Sequence, residues 1–124
     1  MPGSGLAGFV GALPLVDHHC HGVASAELDG AAFEALLGEG GAPPPGLSRF
    51  DTPVGLAVRR WCAPVLDLHP HSPAREYLDR RRELGGAEVT ARLLRATGTR
   101  EYLLDTGYRG EELLDPARFA TTAA

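Results

Sequence analysis

Residues 17–21 read Asp-His-His-Cys-His, so three histidines, a cysteine and an aspartate fill five consecutive positions. Imidazole, thiolate and carboxylate are the donors that proteins offer to divalent first-row ions. The informative spacing is Asp17-x-His19-x-His21. On an extended strand, residues two apart project to the same side. His19 and His21 can then reach one ion together, through imidazole nitrogen at about 2.0–2.1 Å. Asp17 falls on that side too, as a group that orients a ligand or as a weak ligand itself. His18 and Cys20 face the other way. Two histidines alone do not finish a site, because catalytic zinc takes three protein ligands and keeps a fourth position open. The plainer alternative is a packed, hydrogen-bonded histidine pair that holds no ion.

A strand has to position this pair. Residues 13–17, an apolar run closed by Asp17 directly before the histidines, predict a short buried strand, with residues 3–12 as a loose helical turn ahead of it. Continuous apolar residues with polar ones at the C-terminal end are the pattern of a parallel strand in an α/β protein. Asp29 predicts the N-cap of a helix over residues 30–37, with Ala32, Phe33, Leu36 and Leu37 on one face. Residues 38–45, GEGGAPPP, form a loop. Thr52 followed by Pro53 starts a second helix that runs to about Leu66, with Val54, Val58, Trp61 and Val65 sharing its apolar face. DLHPHSP at 67–73 breaks it. Ser72-Pro73 begins a third helix in the same way, ending at Gly85-Gly86, and its DRRRE segment reads as a solvated charged face. Residues 87–96 form a fourth, using Val89, Leu93 and Leu94. Residues 100–105, REYLLD, predict a second strand turning at Thr106-Gly107, followed by a turn of helix over 111–114 and a last segment from Asp115-Pro116. The chain therefore reads as two short parallel strands with a helical insertion between them.

Composition narrows the function classes. The 124 residues are 44% hydrophobic and 23% charged, enough apolar material for one modest core. All twelve basic residues are arginine and the formal net charge is −4, which argues against a nucleic-acid or anionic-membrane partner. The apolar run over residues 6–16 is too short to span a bilayer and has no basic residue ahead of it, so it is read as mature sequence. With no export signal, Cys20 and Cys62 are expected to be free thiols in a reducing cytoplasm.

LVDHHCHGV resembles the first-strand signature of the amidohydrolase superfamily, hydrophobic-Asp-x-His-x-His. FDTPVGLAVRRWCAPVLDL, EYLDRRRELG and LLDTGYRGEELLDP extend the resemblance to bacterial family-2 amidohydrolases related to the amidohydrolase part of fungal glutamine-synthetase-like developmental proteins. The resemblance implies an α/β fold, the N-terminal portion of a (β/α)8 TIM-type barrel, with active-site residues at the C-terminal barrel mouth. It implies a metal-dependent hydrolase acting on a small-molecule substrate, with decarboxylation also within the superfamily. His19 and His21 carry over as ligands of a divalent ion, zinc first and manganese as an alternative. Asp105, ending the second strand, is a site-lining candidate beside Asp17. No residue here matches the family's catalytic aspartate or its later ligand histidines. A barrel takes about 250 residues, so residues 1–124 are expected to be a truncated N-terminal part of one, with an exposed edge through which it associates. The alternatives are a catalytically inactive fragment and a small metal-binding or interaction module. His69-Pro70-His71 is either an exposed loop or a source of further ligands, and Arg59, Arg60, Arg80, Arg81 and Arg82 serve either an anionic substrate or a helix surface.

Overall fold

The computed structural model describes residues 5–24, 27–41, 43–105, 107 and 113–115. The chain forms two units: residues 1–24 with 97–124, and residues 25–96. The first unit holds helix α1 (Leu6–Gly11) and strands β1 (Leu15–Cys20) and β2 (Thr99–Leu104). The two strands pair in parallel, which the helical connection between them allows and a hairpin would not. The pairing is irregular, with register shifts between Leu15 and Val16 and between Asp17 and Cys20.

β1 starts two residues later than the apolar run predicts and continues through His18 and His19 to Cys20, with His21 just beyond its end. Leu13 is still bound to the end of α1, its amide donating to the Val10 carbonyl, and Pro14 has no amide to pair. Nor is β1 buried: Leu15 and Val16 are about half exposed, at 52% and 53%. Burial falls on β2 instead, at Tyr102 and Leu104. Among the described residues no helix is long and apolar enough to cross a membrane. The turn of helix expected at 111–114 and the segment after Asp115 lie largely outside the described residues; Leu113 itself makes an antiparallel bridge with Ala24.

The second unit holds four helical segments and its own core. Asp29 caps α2 (Gly30–Ala35) as predicted, its carboxylate accepting from the Ala32 amide at 2.8 Å. The helix tightens after Ala35, where the Leu36 and Leu37 amides donate to carbonyls three residues back. Phe33 and Leu37 reach the core while Leu36 stays exposed. Thr52 caps the next helix and Pro53 opens it, again as the sequence predicts. That helix is α3 (Pro53–Ala57), a π-helical turn (Val58–Cys62) and α4 (Ala63–Val65) in succession.

Its buried face matches the predicted one only in part: Val58 packs against the core and Val65 is half-buried. Gly55, Ala63 and Leu66 are buried, whereas Val54 and Trp61 are 53% and 68% exposed. The helix lies so close to the short 3-10 turn Arg49–Asp51 that only small residues fit. A Cβ on Gly55 would sit 2.3 Å from both the Arg49 carbonyl oxygen and the Phe50 Cα. The π turn then adds a residue to one turn and rotates the next part of the helix. Trp61 is left outside, with the Arg60 guanidinium 4.9 Å from its ring centre.

α5 (Ala74–Leu84) is capped by Pro73, not by Ser72. Ser72 is buried and already committed, its carbonyl accepting from Arg59 Nε at 2.9 Å and its amide donating to the His69 carbonyl. Gly85 ends the helix at φ 80° and α6 (Gly86–Ala96) comes next, burying Val89. Phe33, Phe50 and Tyr77 pack together with ring centres 5.6–6.2 Å apart, and the Arg81 guanidinium lies 4.6 Å over Phe33. Such a cation–ring contact contributes about 0.5–1 kcal/mol.

The charged segment does more than meet solvent. Asp67 accepts from Arg80 at 2.9 Å and Arg92 at 2.7 Å, joining the loop before α5 to both α5 and α6. Arg92 also donates to Glu88 at 2.7 Å. Hydrogen bonds from Arg92 and then Arg80 hold the Asp67 carboxyl below the usual carboxylate range, and Arg92 lowers Glu88 in the same way.

Gly55→Ala should therefore lower stability by about 1–3 kcal/mol or more, because the obstacle is backbone that has no rotamer to change; urea unfolding followed by circular dichroism reads this. The depressed Asp67 and Glu88 carboxyls add a pH dependence. Their contribution is fully present above the unfolded-state values near 4 and is lost as pH falls through the lower folded values. Asp67→Asn should flatten the acid side of the stability curve; an unchanged profile between pH about 5 and 2 would contradict the assignment.

Candidate functional site

The histidine pair sits where β1 ends. The imidazole rings of His19 and His21 lie edge-to-face with centres 5.3 Å apart. Two imidazoles bound to one tetrahedral ion at Zn–N distances of about 2.0–2.1 Å have ring centres roughly 5 Å apart, so the spacing suits a shared ion. The strand brings the rings together despite the register shift before Cys20. The Cys20 thiol is directed elsewhere: it approaches the Leu103 carbonyl at 3.7 Å, which keeps it out of the donor set.

β2 brings Asp105 to the same end of the pair. Its amide donates to the Cys20 carbonyl at 2.8 Å, adding a rung beyond the last residue of the strand. Asp105 Oδ2 is then 4.0 Å from His19 Nε2. Its other oxygen accepts from the Gly107 amide at 2.8 Å, fixing the carboxylate in a short Asx turn. Asp17 is held back from the rings. Its carboxylate accepts from the His19 amide at 3.3 Å, so it braces the strand that carries the ligand.

The chain leaving His21 is pinned by residues far along the sequence. The Leu114 amide donates to the Val23 carbonyl at 2.8 Å, and Ala24 bridges Leu113. Leu113 packs onto Gly22 so closely that a Cβ there would lie 2.9 Å from Leu113 Cδ1. Sequence reasoning missed Gly22 and Leu113 as positioning residues. Their only local signal is the glycine directly after the last histidine, which carries no pointer to Leu113.

Among the described residues, no group of three or more His, Cys, Asp and Glu side chains is placed to hold an ion. The donor set of the first unit is thus one histidine pair with a carboxylate nearby. Its ligand chemistry and ring spacing are compatible with a divalent ion, of which it would fill two coordination positions. His69 and His71 belong to the second unit, on an exposed loop. Arg59 fixes that loop by donating to the His71 and Ser72 carbonyls, and its own carbonyl accepts from the His71 amide at 2.8 Å. Arg59 and Arg80, held open for an anionic substrate by the sequence, are engaged in these structural bonds. A cavity of about 370 Å³ in the same unit is lined by Glu27, Leu28, Asp29, Arg81, Arg82 and Gly86. Its two carboxylates are occupied in capping helices, Asp29 at α2 and Glu27 at the Gly86 amide of α6.

Both cysteines are free. Burial, and next the negative charge of Asp17, push the Cys20 thiol up; burial pushes the Cys62 thiol up against an opposing influence from Arg81. The chain matches no protein-family model, no curated protein and no solved structure.

Because the thiolate is the reactive form, Cys20 should alkylate more slowly with iodoacetamide at about pH 7.5 than an unhindered thiol. Asp17→Asn should speed it severalfold at most, since burial is the larger cause. Peptide mass spectrometry separates Cys20 from Cys62. An unchanged Cys20 rate in the variant would show that Asp17 does not act on the thiol.

Proposed function

We propose that this chain carries the first-strand corner of an amidohydrolase-type metal site. In this reading His19 and His21 bind one divalent ion, zinc or alternatively manganese, and the chemistry served is hydrolysis of a small-molecule substrate. The observation that supports it is the parallel pairing that sets the His19–His21 pair and Asp105 together at the C-terminal ends of β1 and β2. In parallel α/β folds, reactive groups gather at that end of the strands.

His19 and His21 hold the ion through their ring nitrogens. A bound divalent ion supplies Lewis acidity and a water of lowered pKa. Asp105 Oδ2 lies 4.0 Å from His19 Nε2, beyond a hydrogen bond but on the side from which a carboxylate orients a ligating histidine; the other ring nitrogen is then the one left for the ion. Asp17 steadies the strand through the His19 amide. A hydrolytic centre needs at least one more protein ligand and a proton-handling group. The TIM-type barrel that would provide them is part of the proposal, as are a cytoplasmic setting, which suits two free thiols, and association through the open strand edges. A second reading, a small metal-binding module without catalysis, is favoured by the two-donor set among the described residues.

Zinc affinity measured against a chromogenic chelator tests the metal reading. His19→Ala and His21→Ala should each remove most of the binding, and Asp105→Asn should weaken it by about 10-fold or more. Equal affinity in all four proteins would end the proposal. Turnover of simple amides or esters that disappears in His19→Ala separates the hydrolase from the non-catalytic module.

A further inference from the structure

The two-donor site of the first unit has a solution that uses no other protein. His19 and His21 provide two nitrogens at a spacing suited to one ion, and the His19 side chain is 58% exposed. Zinc in a protein site is almost always four-coordinate. Two copies of the pair supply four nitrogens. We propose that zinc joins two copies of this chain, the His19–His21 pair of each filling half of one tetrahedral shell. The inference rests on the metal reading of this pair and adds its partner, a second copy of the chain.

Three features support the arrangement. His19 near the end of β1 and His21 just beyond it are both exposed, so a second copy can approach the rings. Leu15, two and four residues before Asp17 and His19 and so on their side of the strand, is half exposed, and apposition removes part of this apolar surface from water. Asp105 stands beside His19 Nε2 without occupying the other ring nitrogen, and its negative charge offsets the 2+ charge concentrated on four neutral imidazoles.

The bridged form has a chemical consequence. Four imidazoles close the shell and leave no position for water, so the joined state does no hydrolysis. Excess ion reverses it: once each pair can have an ion of its own, the bridge is no longer the best use of the ligands. Joining is therefore strongest at one zinc per two chains and weakens at higher zinc.

The test is light-scattering mass after gel filtration of the full chain, freed of metal with a chelator and then titrated with zinc chloride. The expected result is a rise toward twice the chain mass, maximal at about 0.5 zinc per chain, reversed by the chelator and by a large excess of zinc. His19→Ala and His21→Ala should stay at the metal-free mass, with circular dichroism showing that they remain folded. His69→Ala/His71→Ala should behave as the unaltered chain. One zinc per monomer, bound through His19 and His21, would overturn the bridge and leave the metal reading standing. Zinc binding that ignores these two histidines would overturn both. A dimer that persists without zinc, or one abolished only by the His69→Ala/His71→Ala change, would overturn the bridge.

Discussion

The amide of Asp105 donates to the carbonyl of Cys20 at 2.8 Å, and the site depends on this one rung. It is the last bond of a parallel ladder between strands whose sequences lie far apart. Without it, a carboxylate at position 105 has no reason to stand near a histidine at position 19. Parallel pairing cannot be made locally, because the chain must travel the length of a strand and return before the second strand can start. Everything between Cys20 and Thr99 is therefore a connection, and its structure has to offset its own conformational entropy.

It does so with a core that lies wholly within the connection. Phe33, Leu37, Phe50, Ala63, Leu66, Tyr77 and Val89 form one buried cluster, and every half-buried apolar residue packed on it falls between Leu28 and Leu93. The cluster is small and is closed by specific devices at its rim. Gly55 lets a helix lie on a 3-10 turn, Arg81 covers the ring of Phe33, and Asp67 ties a loop to two helices. Asp67 and His71 both adopt left-handed backbone, at φ 65° and 64°, an uncommon state for residues with a Cβ. The bonds from Arg59, Arg80 and Arg92 around them hold that loop in place. The first unit differs in kind: β1 and α1 expose Leu6, Phe9, Val10, Leu15 and Val16, and order in that unit comes chiefly from backbone pairing.

The legible part of the sequence was local. Asp29 and Thr52-Pro53 stand at helix starts because capping needs only residues within one turn. The two strands, their parallel sense and the helical insertion came from periodicity and order. The His19–His21 approach came from strand alternation. Most failures came from contacts beyond one helical turn. Val54 and Trp61 have the composition of a core face, but the site of closest packing demanded glycine and alanine, a demand set by Arg49 and Phe50. Ser72 has the composition of a cap, but α5 is capped one residue later, at Pro73, and Ser72 lies in the loop that Arg59, thirteen residues earlier, holds. The role of Leu113 behind Gly22 left no trace near either residue.

The same separation of local from long-range explains why, on the proposed metal reading, the pair would be a good ligand and an unfinished site. A strand fixes two imidazoles at chelating distance as a by-product of its own pairing, so little ordering remains to be done when an ion arrives. Asp105 is fixed independently, by the Cys20 rung and the Gly107 turn. Imidazole pairs accept several first-row ions, and carboxylate oxygen moves the preference toward harder ones such as manganese. With Asp105 4.0 Å from His19 Nε2, just beyond hydrogen-bonding distance, the first-contact donors are nitrogen only, which favours zinc. Nitrogen-only donors also make the count of histidines decisive. On the proposed reading two of them would hold an ion and leave half its shell unclaimed, and whatever claimed the rest, water and substrate or a second histidine pair, would decide between chemistry and assembly.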